Sequence, residues 1–263
     1  MSGAGNDFVM IDNRKRKLRL SRVQIAKICD RHFGVGADGL LLAKDGPKGV
    51  DYTMEYYNAD GSLADMCGNG ARCFARFVQH FKKSTKRQVT FMTGAGLIEA
   101  RFSGSEVSIN MTAPHSLQTL IKVPTTTGNW TTHSLNTGVP HAVCFVTKVE
   151  AIDIKQLGSE IRHHSLFKPK GTNVNFAQVT GPNSITVRTY ERGVEGETLA
   201  CGTGVVACAI LAHALEGVAK PVKVTVRSGA VMTVDFNQKG QVYSDPTLKG
   251  PASVIFTGEI KLE

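Results

Sequence analysis

Disulfide chemistry has little to work with in this chain. Six cysteines (Cys29, Cys67, Cys73, Cys144, Cys201 and Cys208) are spread over 263 residues, too thinly for a stapled scaffold. No two stand in a Cys-x-x-Cys pair, so a structural zinc site is not expected, and no metal is assigned. No apolar run approaches the roughly 20 residues that a membrane helix needs, so no membrane partner is expected. The start, Met1-Ser2-Gly3-Ala4-Gly5-Asn6-Asp7, lacks the basic stretch and apolar core of a secretory signal. The expectation is therefore a cytoplasmic protein. Aromatic side chains are sparse, at 7%. None interleaves with the densest basic runs, Arg14-Lys15-Arg16-Lys17 and Lys82-Lys83-Ser84-Thr85-Lys86-Arg87. A nucleic-acid stacking surface needs such interleaving, so both runs read as solvated loops or helix ends. No lysine motif for pyridoxal phosphate stands out, and no cofactor is assigned.

What the chain has is a repeat. Met66-Cys67-Gly68-Asn69-Gly70-Ala71-Arg72-Cys73 is echoed, about half the chain later, by Ala200-Cys201-Gly202-Thr203-Gly204-Val205-Val206-Ala207-Cys208. A short tyrosine-bearing segment precedes each copy: Met54-Glu55-Tyr56-Tyr57-Asn58, and Val187-Arg188-Thr189-Tyr190-Glu191. A period of half the chain signals a duplicated domain, not a solenoid. The length suits one large domain or two smaller ones.

The local patterns divide in the same way. Ser21 can cap a helix running to Phe33, with Val23, Ile25, Ile28 and Cys29 inward. Strands are expected at 8–12, 40–43, 52–57, 89–92, 96–102 and 107–111, and a helix at 71–82. The stretch from Ala113 to Pro124 has no clear pattern and reads as a connector. Beyond it the expected strands are at 134–149 (interrupted at 138–141), 173–179, 185–190, 222–228, 230–236, 241–244 and 252–262. Helices are expected at 152–161 and 203–215. Strands outnumber helices, and the conspicuous helix in each half follows its cysteine motif.

That placement has chemical consequences. The first turn of a helix presents backbone N–H groups without intrahelical acceptors. Its positive end favours a thiolate, so a cysteine there becomes more acidic. Glycines allow a ligand to approach the backbone closely. Two such motifs supply two acid/base thiols and two donor-rich helix ends. Inverting an α-carbon beside a carboxylate calls for a base on one face, an acid on the other, and N–H donors for the charge that develops. The residues therefore read as a cofactor-independent amino-acid racemase or epimerase, with Cys67 and Cys201 as the acid/base pair. Cys29, Cys73, Cys144 and Cys208 read as small buried hydrophobes. The net charge of +9 suits an acidic small molecule. It leaves a basic nucleic-acid-binding protein as the rival from another class.

At these residues the chain resembles the diaminopimelate epimerase family. The matching blocks are Gly5-Asn6-Asp7-Phe8, Arg31-His32-Phe33-Gly34-Val35-Gly36-Ala37-Asp38-Gly39, Asn58-Ala59-Asp60-Gly61-Ser62, Met66 to Gly70, Pro140-His141, Tyr190-Glu191-Arg192-Gly193, and Glu197-Thr198 with Ala200 to Gly204. The resemblance implies an α+β fold of two pseudosymmetric domains, each a curled, mainly antiparallel sheet around a central helix. Residues 1–115, completed by 251–263, would form one domain and 116–250 the other, with the active site in the cleft between them. It implies interconversion of LL- and meso-diaminopimelate for lysine and peptidoglycan synthesis, by a homodimer without metal or cofactor. Cys67 and Cys201 would exchange protons. Gly68, Asn69, Gly202 and Thr203 would hold the reacting carboxylate, and Asn6, Asn58, Asn173, Glu191 and Arg192 would orient the substrate. His141 and Glu191 would tune the thiols. Asn173 is preferred to Asn175 by its place in the block, and Asn58 also reads as a turn residue. Val139 stands where many members have an asparagine, and Gly39 where some have a glutamine. Fewer distal contacts would suit a broader amino-acid racemase acting, for example, on glutamate.

Overall fold

The computed structural model describes residues 1–15, 17–81 and 85–261. Arg16, Lys82, Lys83 and Ser84, from the two basic runs, and Leu262, from the expected last strand, lie outside the described residues. The chain divides into two compact units. One comprises Met1–Ile109 and the chain from Gly250 onward; the other is Asn110–Lys249.

The first unit contains β1 (Ser2–Gly3), β2 (Asn6–Asp12), α1 (Arg22–Cys29), β3 (Gly39–Asp45), β4 (Tyr52–Asn58), β5 (Leu63–Ala64), α2 (Gly68–Phe81), β6 (Gln88–Thr93), β7 (Gly96–Ser103) and β8 (Glu106–Asn110). β2 pairs parallel with β3, and β3 antiparallel with β4. β4 pairs antiparallel with β5 and parallel with β6. β6, β7 and β8 follow as an antiparallel meander. Leu40, Leu41 and Leu42 are all buried. An unbroken apolar run is what a strand covered on both faces requires.

Ser21 caps α1 through a reciprocal capping box with Gln24, satisfying two donors at the helix start. Ile25, Ile28 and Cys29 pack against Ala37, Leu40 and Leu42. Val23, expected inward, is 77% exposed. The helix also ends at Cys29, well short of Phe33, because the Asp30 carboxylate accepts the His32 and Phe33 N–H groups and turns the chain there. α2 starts at Gly68, three residues earlier than the alanine-rich stretch predicts. Its buried face includes Ala71, Cys73, Phe74, Ala75 and Val78. The Phe74 ring lies 4.8 Å from that of Phe91 and 6.5 Å, edge-on, from that of Tyr52.

The second unit contains β9 (His115–Thr125), β10 (Gly128–Asn136), β11 (Pro140–Phe145), α3 (Ile154–His163), β12 (Asn173–Gly181), β13 (Ser184–Glu191), β14 (Gly196–Thr198), α4 (Gly202–Glu216), β15 (Val222–Thr225), β16 (Val231–Lys239) and β17 (Val242–Pro251). The pairings of the first unit recur in order. β11 is parallel to β12, which is antiparallel to β13; β13 is antiparallel to β14 and parallel to β15; β15, β16 and β17 are antiparallel. α3 stands in the chain where α1 did, and α4 where α2 did. Residues 204–212 of α4 are all buried, as expected of a helix that is apolar all round. Trp130 meets Phe176 edge-on at 5.8 Å in the core beside α3. The fold class is α+β.

Two further expectations need correction. The unpatterned stretch before Pro124 is not a connector: it is β9, paired with β10 from His115 to Thr125 through two irregularities. Its side chains are mostly exposed, so no hydrophobic alternation marks it. The apolar tail from Ala252 is not a strand: Ser253 makes a single bridge to Ser2, and residues 254–261 have no regular structure. Val254, Ile255 and Phe256 are exposed. Among the described residues, no helix is long and apolar enough to cross a membrane.

Candidate active site

In the first unit, Cys67 immediately precedes α2 and is half-buried. The first helical hydrogen bond runs from the Ala71 N–H to the Cys67 carbonyl, at 2.7 Å. The N–H groups of Gly68, Asn69 and Gly70 therefore have no acceptor within the helix. The Asn69 amide is buried. It donates to Asn6 Oδ1 at 2.5 Å and accepts from the Arg72 guanidinium at 2.7 Å. Arg72 also donates to the Gly68 carbonyl at 3.3 Å. Asn6 is held from its other end, donating to Asp38 Oδ2 at 3.0 Å. Arg31 forks across Asp7, at 2.8 Å to each oxygen, and reaches Asp38 at 2.8 Å. Burial works against ionisation of Asp7, but Arg31 and the Asp38 N–H outweigh it and hold this carboxyl below the usual carboxylate range. The blocks around Asn6 and Asp38 are thus one ion-paired cluster that fixes Asn6 beside Asn69.

Arg72 is fully buried, and no carboxylate among the described residues pairs with it. Its Nε has no hydrogen-bond partner among the described residues. Burial lowers the guanidinium pKa, while the Cys73 and Cys67 thiols act in the opposite direction. Sequence reasoning missed this residue. Its signal was a charged side chain three positions after Asn69, on the packed face of a small-residue helix. Arg72→Lys keeps the charge but loses the planar fork that spans Asn69 and the Gly68 carbonyl. We expect kcat/KM to fall about 10–100-fold, the worth of a hydrogen bond to a charged group, and the urea midpoint to fall as well, because Asn69 Oδ1 and the Gly68 carbonyl lose a buried donor. Steady-state kinetics and urea titration read the two arms.

In the second unit, Cys201 is the N-cap of α4. Its Sγ lies 3.5 Å from Thr203 Oγ1. Thr137 donates to the Thr203 carbonyl at 2.9 Å, steadying the first turn. β11 and β12 lie in register with His141 opposite Asn173. Asn173 donates to the Pro140 carbonyl at 3.2 Å and accepts the Arg192 N–H at 2.8 Å. His141 is fully buried, and burial, reinforced by the nearby Arg192 charge, pushes its pKa down to about 3. It is therefore a neutral imidazole, not the surface histidine that a loop position would give. Burial raises the pKa of the Glu191 carboxyl against the opposing hydrogen bond from Thr198 Oγ1 at 2.8 Å. Arg188 forks onto Glu197 at 2.7 and 2.9 Å and ties β13 to β14.

The other four cysteines are buried. Burial raises the thiols of Cys73 and Cys144 to about 12 and that of Cys29 to about 11, and it raises Cys208 as well. These thiols are unsuited to proton transfer near neutral pH.

The family model described as "Diaminopimelate epimerase" matches residues 1–117 and 133–253. A diaminopimelate epimerase from Aquifex aeolicus is 44% identical over 278 aligned residues, covering 100% of this chain and 97% of that protein. One from Chlorobaculum tepidum is 40% identical over 266 residues, covering 100% of each. The chain belongs to the diaminopimelate epimerase family. It is an enzyme of the isomerase class. The fold extends to more distant proteins. A phenazine biosynthesis protein of the PhzF family from Bacillus anthracis superposes with a TM-score of 0.71 at 12% identity, covering 95% of this chain and 92% of that one. A hydroxyproline epimerase from Agrobacterium vitis gives 0.62 at 17% identity, covering 87% and 77%.

The family's blocks fall in definite places. Asn6, Gly68 and Asn69 come together in the first unit, and Asn173, Arg192, His141, Gly202 and Thr203 lie around β11, β12 and α4 in the second. Asn58 is exposed and donates to Ser62 Oγ at 3.1 Å. Gly39, one of the two departures from the family's pattern, has a local reason. A β-carbon there would lie 2.6 Å from the Tyr57 carbonyl and 2.7 Å from the Tyr56 ring, so a side chain would push β3 off β4.

Proposed function

We propose that this diaminopimelate epimerase family member interconverts LL- and meso-diaminopimelate with two thiols, one removing the α-proton and the other delivering a different proton to the opposite face. One observation carries the reading: Cys67 and Cys201 occupy the same place in two units of the same strand order, each at the start of its unit's most buried helix. One cysteine, as thiolate, takes the α-proton from one face. The other, as thiol, returns a proton to the opposite face, and the roles exchange in the reverse direction. Charge that builds on the substrate carboxylate is met by first-turn N–H groups at Gly68–Asn69 and Gly202–Thr203, which need no reorganisation as the charge forms. Asn6, Asn58, Asn173, Glu191 and Arg192 orient the substrate, with Arg192 suited to a carboxylate. His141 and Glu191 tune the thiols. The reaction needs no metal or cofactor. A cytoplasmic homodimer in lysine and peptidoglycan synthesis belongs to the same proposal.

The test is direct. Purified protein, treated with chelator and given no cofactor, converts LL-diaminopimelate to the meso form in a chiral separation. In a panel of L-amino acids that includes glutamate and aspartate, diaminopimelate has the highest kcat/KM. Preferential turnover of glutamate would overturn the substrate assignment.

A further inference from the structure

His141 is held from one side only. Asn175 Nδ2 lies 3.2 Å from His141 Nδ1 and 3.1 Å from the Ala142 carbonyl. Thr189 Oγ1 donates to Asn175 Oδ1 at 2.9 Å. These contacts settle which way the Asn175 amide faces. The Ala142 carbonyl only accepts, so the atom beside it is the –NH2 group, and the other end takes the threonine hydroxyl. The –NH2 group then also faces Nδ1, which must be an acceptor. A neutral imidazole whose Nδ1 accepts carries its proton on Nε2. That Nε2 is buried and has no hydrogen-bond partner among the described residues. Buried donors are nearly always satisfied, so one left over calls for a specific acceptor. The ring edge between the two nitrogens faces α4: a β-carbon on Gly204 would lie 3.3 Å from His141 Cε1 and 2.5 Å from Asn175 Oδ1. The first turn of a helix and the adjacent Arg192 both favour an anion here.

We propose that Asn175 is a positioning residue that locks His141 as the Nε2–H tautomer, so that His141 is a hydrogen-bond donor to an anion at the first turn of α4 and not a proton acceptor. The anion is the Cys201 thiolate or a carboxylate of the substrate. The proposal deepens the epimerase reading and rests on it for the identity of the anion. The tautomer itself does not depend on the substrate.

The experiment is nitrogen NMR of the full-length protein labelled at histidine, paired with kinetics. In the wild type at neutral pH, His141 should show a pyridine-like Nδ1 and a protonated, pyrrole-like Nε2. Asn175→Asp places an acceptor opposite Nδ1 and should move the proton there. Asn175→Ala should leave a tautomer mixture. Each variant should lose about 10–100-fold in kcat/KM, the worth of a hydrogen bond to a charged group. With Asn175→Ala, a shift of Cys201 alkylation toward higher pH assigns the thiolate as acceptor. Unchanged alkylation with a raised KM assigns the carboxylate. If Asn175→Asp does not fold, the wild-type spectrum and Asn175→Ala still decide. A wild-type His141 protonated on Nδ1, or Asn175→Ala with wild-type kcat/KM, would overturn the proposal. A locked tautomer in an enzyme that does not turn over diaminopimelate would count against the substrate assignment alone.

Discussion

Cys67→Ala and Cys201→Ala should each abolish net epimerisation, lowering turnover by about 10²–10⁴-fold or to background, the range for loss of a positioned acid or base. The two variants are not equivalent. In a two-thiol enzyme each sulfur serves one face of the α-carbon, so each variant keeps a thiol that can still work on its own face. Residual exchange of the α-hydrogen with solvent should therefore survive in one stereoisomer with Cys67→Ala and in the opposite one with Cys201→Ala. Neither variant should unfold. Cys67 is half-buried, and Cys201 lies at a helix start that is also held by Thr137. Chiral chromatography of both stereoisomers in deuterated water reads the outcome. Wild-type turnover in either variant would remove that cysteine from the mechanism.

The second large effect is on stability. Phe74→Ala should destabilise the protein by about 3–5 kcal/mol, the usual cost of emptying a buried phenylalanine site. Phe74 is fully buried, and its ring contacts to Phe91 and Tyr52 join α2 to β6 and β4. A loss of this size is a large share of the roughly 5–15 kcal/mol that holds a domain together. It should appear as a lower urea midpoint followed by circular dichroism, with the slope unchanged. Because α2 carries Cys67 at its start, activity should fall at temperatures below the unfolding transition. An unfolding free energy within about 1 kcal/mol of wild type would mean that the site collapses around the missing ring.

Much of this was legible in the chain because its strongest signals are local. Cys-Gly-x-Gly followed by small residues marks a helix start without any knowledge of the fold, and its recurrence at Cys201 marks the duplication. Other features were hidden for physical reasons. β9 has mostly exposed side chains, so the period-2 pattern that betrays a half-buried strand is missing. Val254, Ile255 and Phe256 carry strand propensity but have no partner strand among the described residues, and propensity alone does not make a sheet. Arg72 is charged, and a charged residue reads as surface unless something shows what it holds. Asn173 and Asn175 lie two apart on one strand, so both face the same side. Sequence could rank them but could not see that they have different tasks. Asn173 receives the Arg192 N–H, and Asn175 orients His141.

The mechanism turns on where the new hydrogen comes from. The deciding measurement is early-turnover epimerisation of LL-diaminopimelate in deuterated water, with mass spectrometry of substrate and product separately. Two monoprotic thiols predict that the meso product carries solvent deuterium at the inverted carbon while the recovered LL substrate still carries hydrogen. Product that retains the substrate's own hydrogen, or substrate that gains deuterium as fast as product forms, would contradict the two-thiol account.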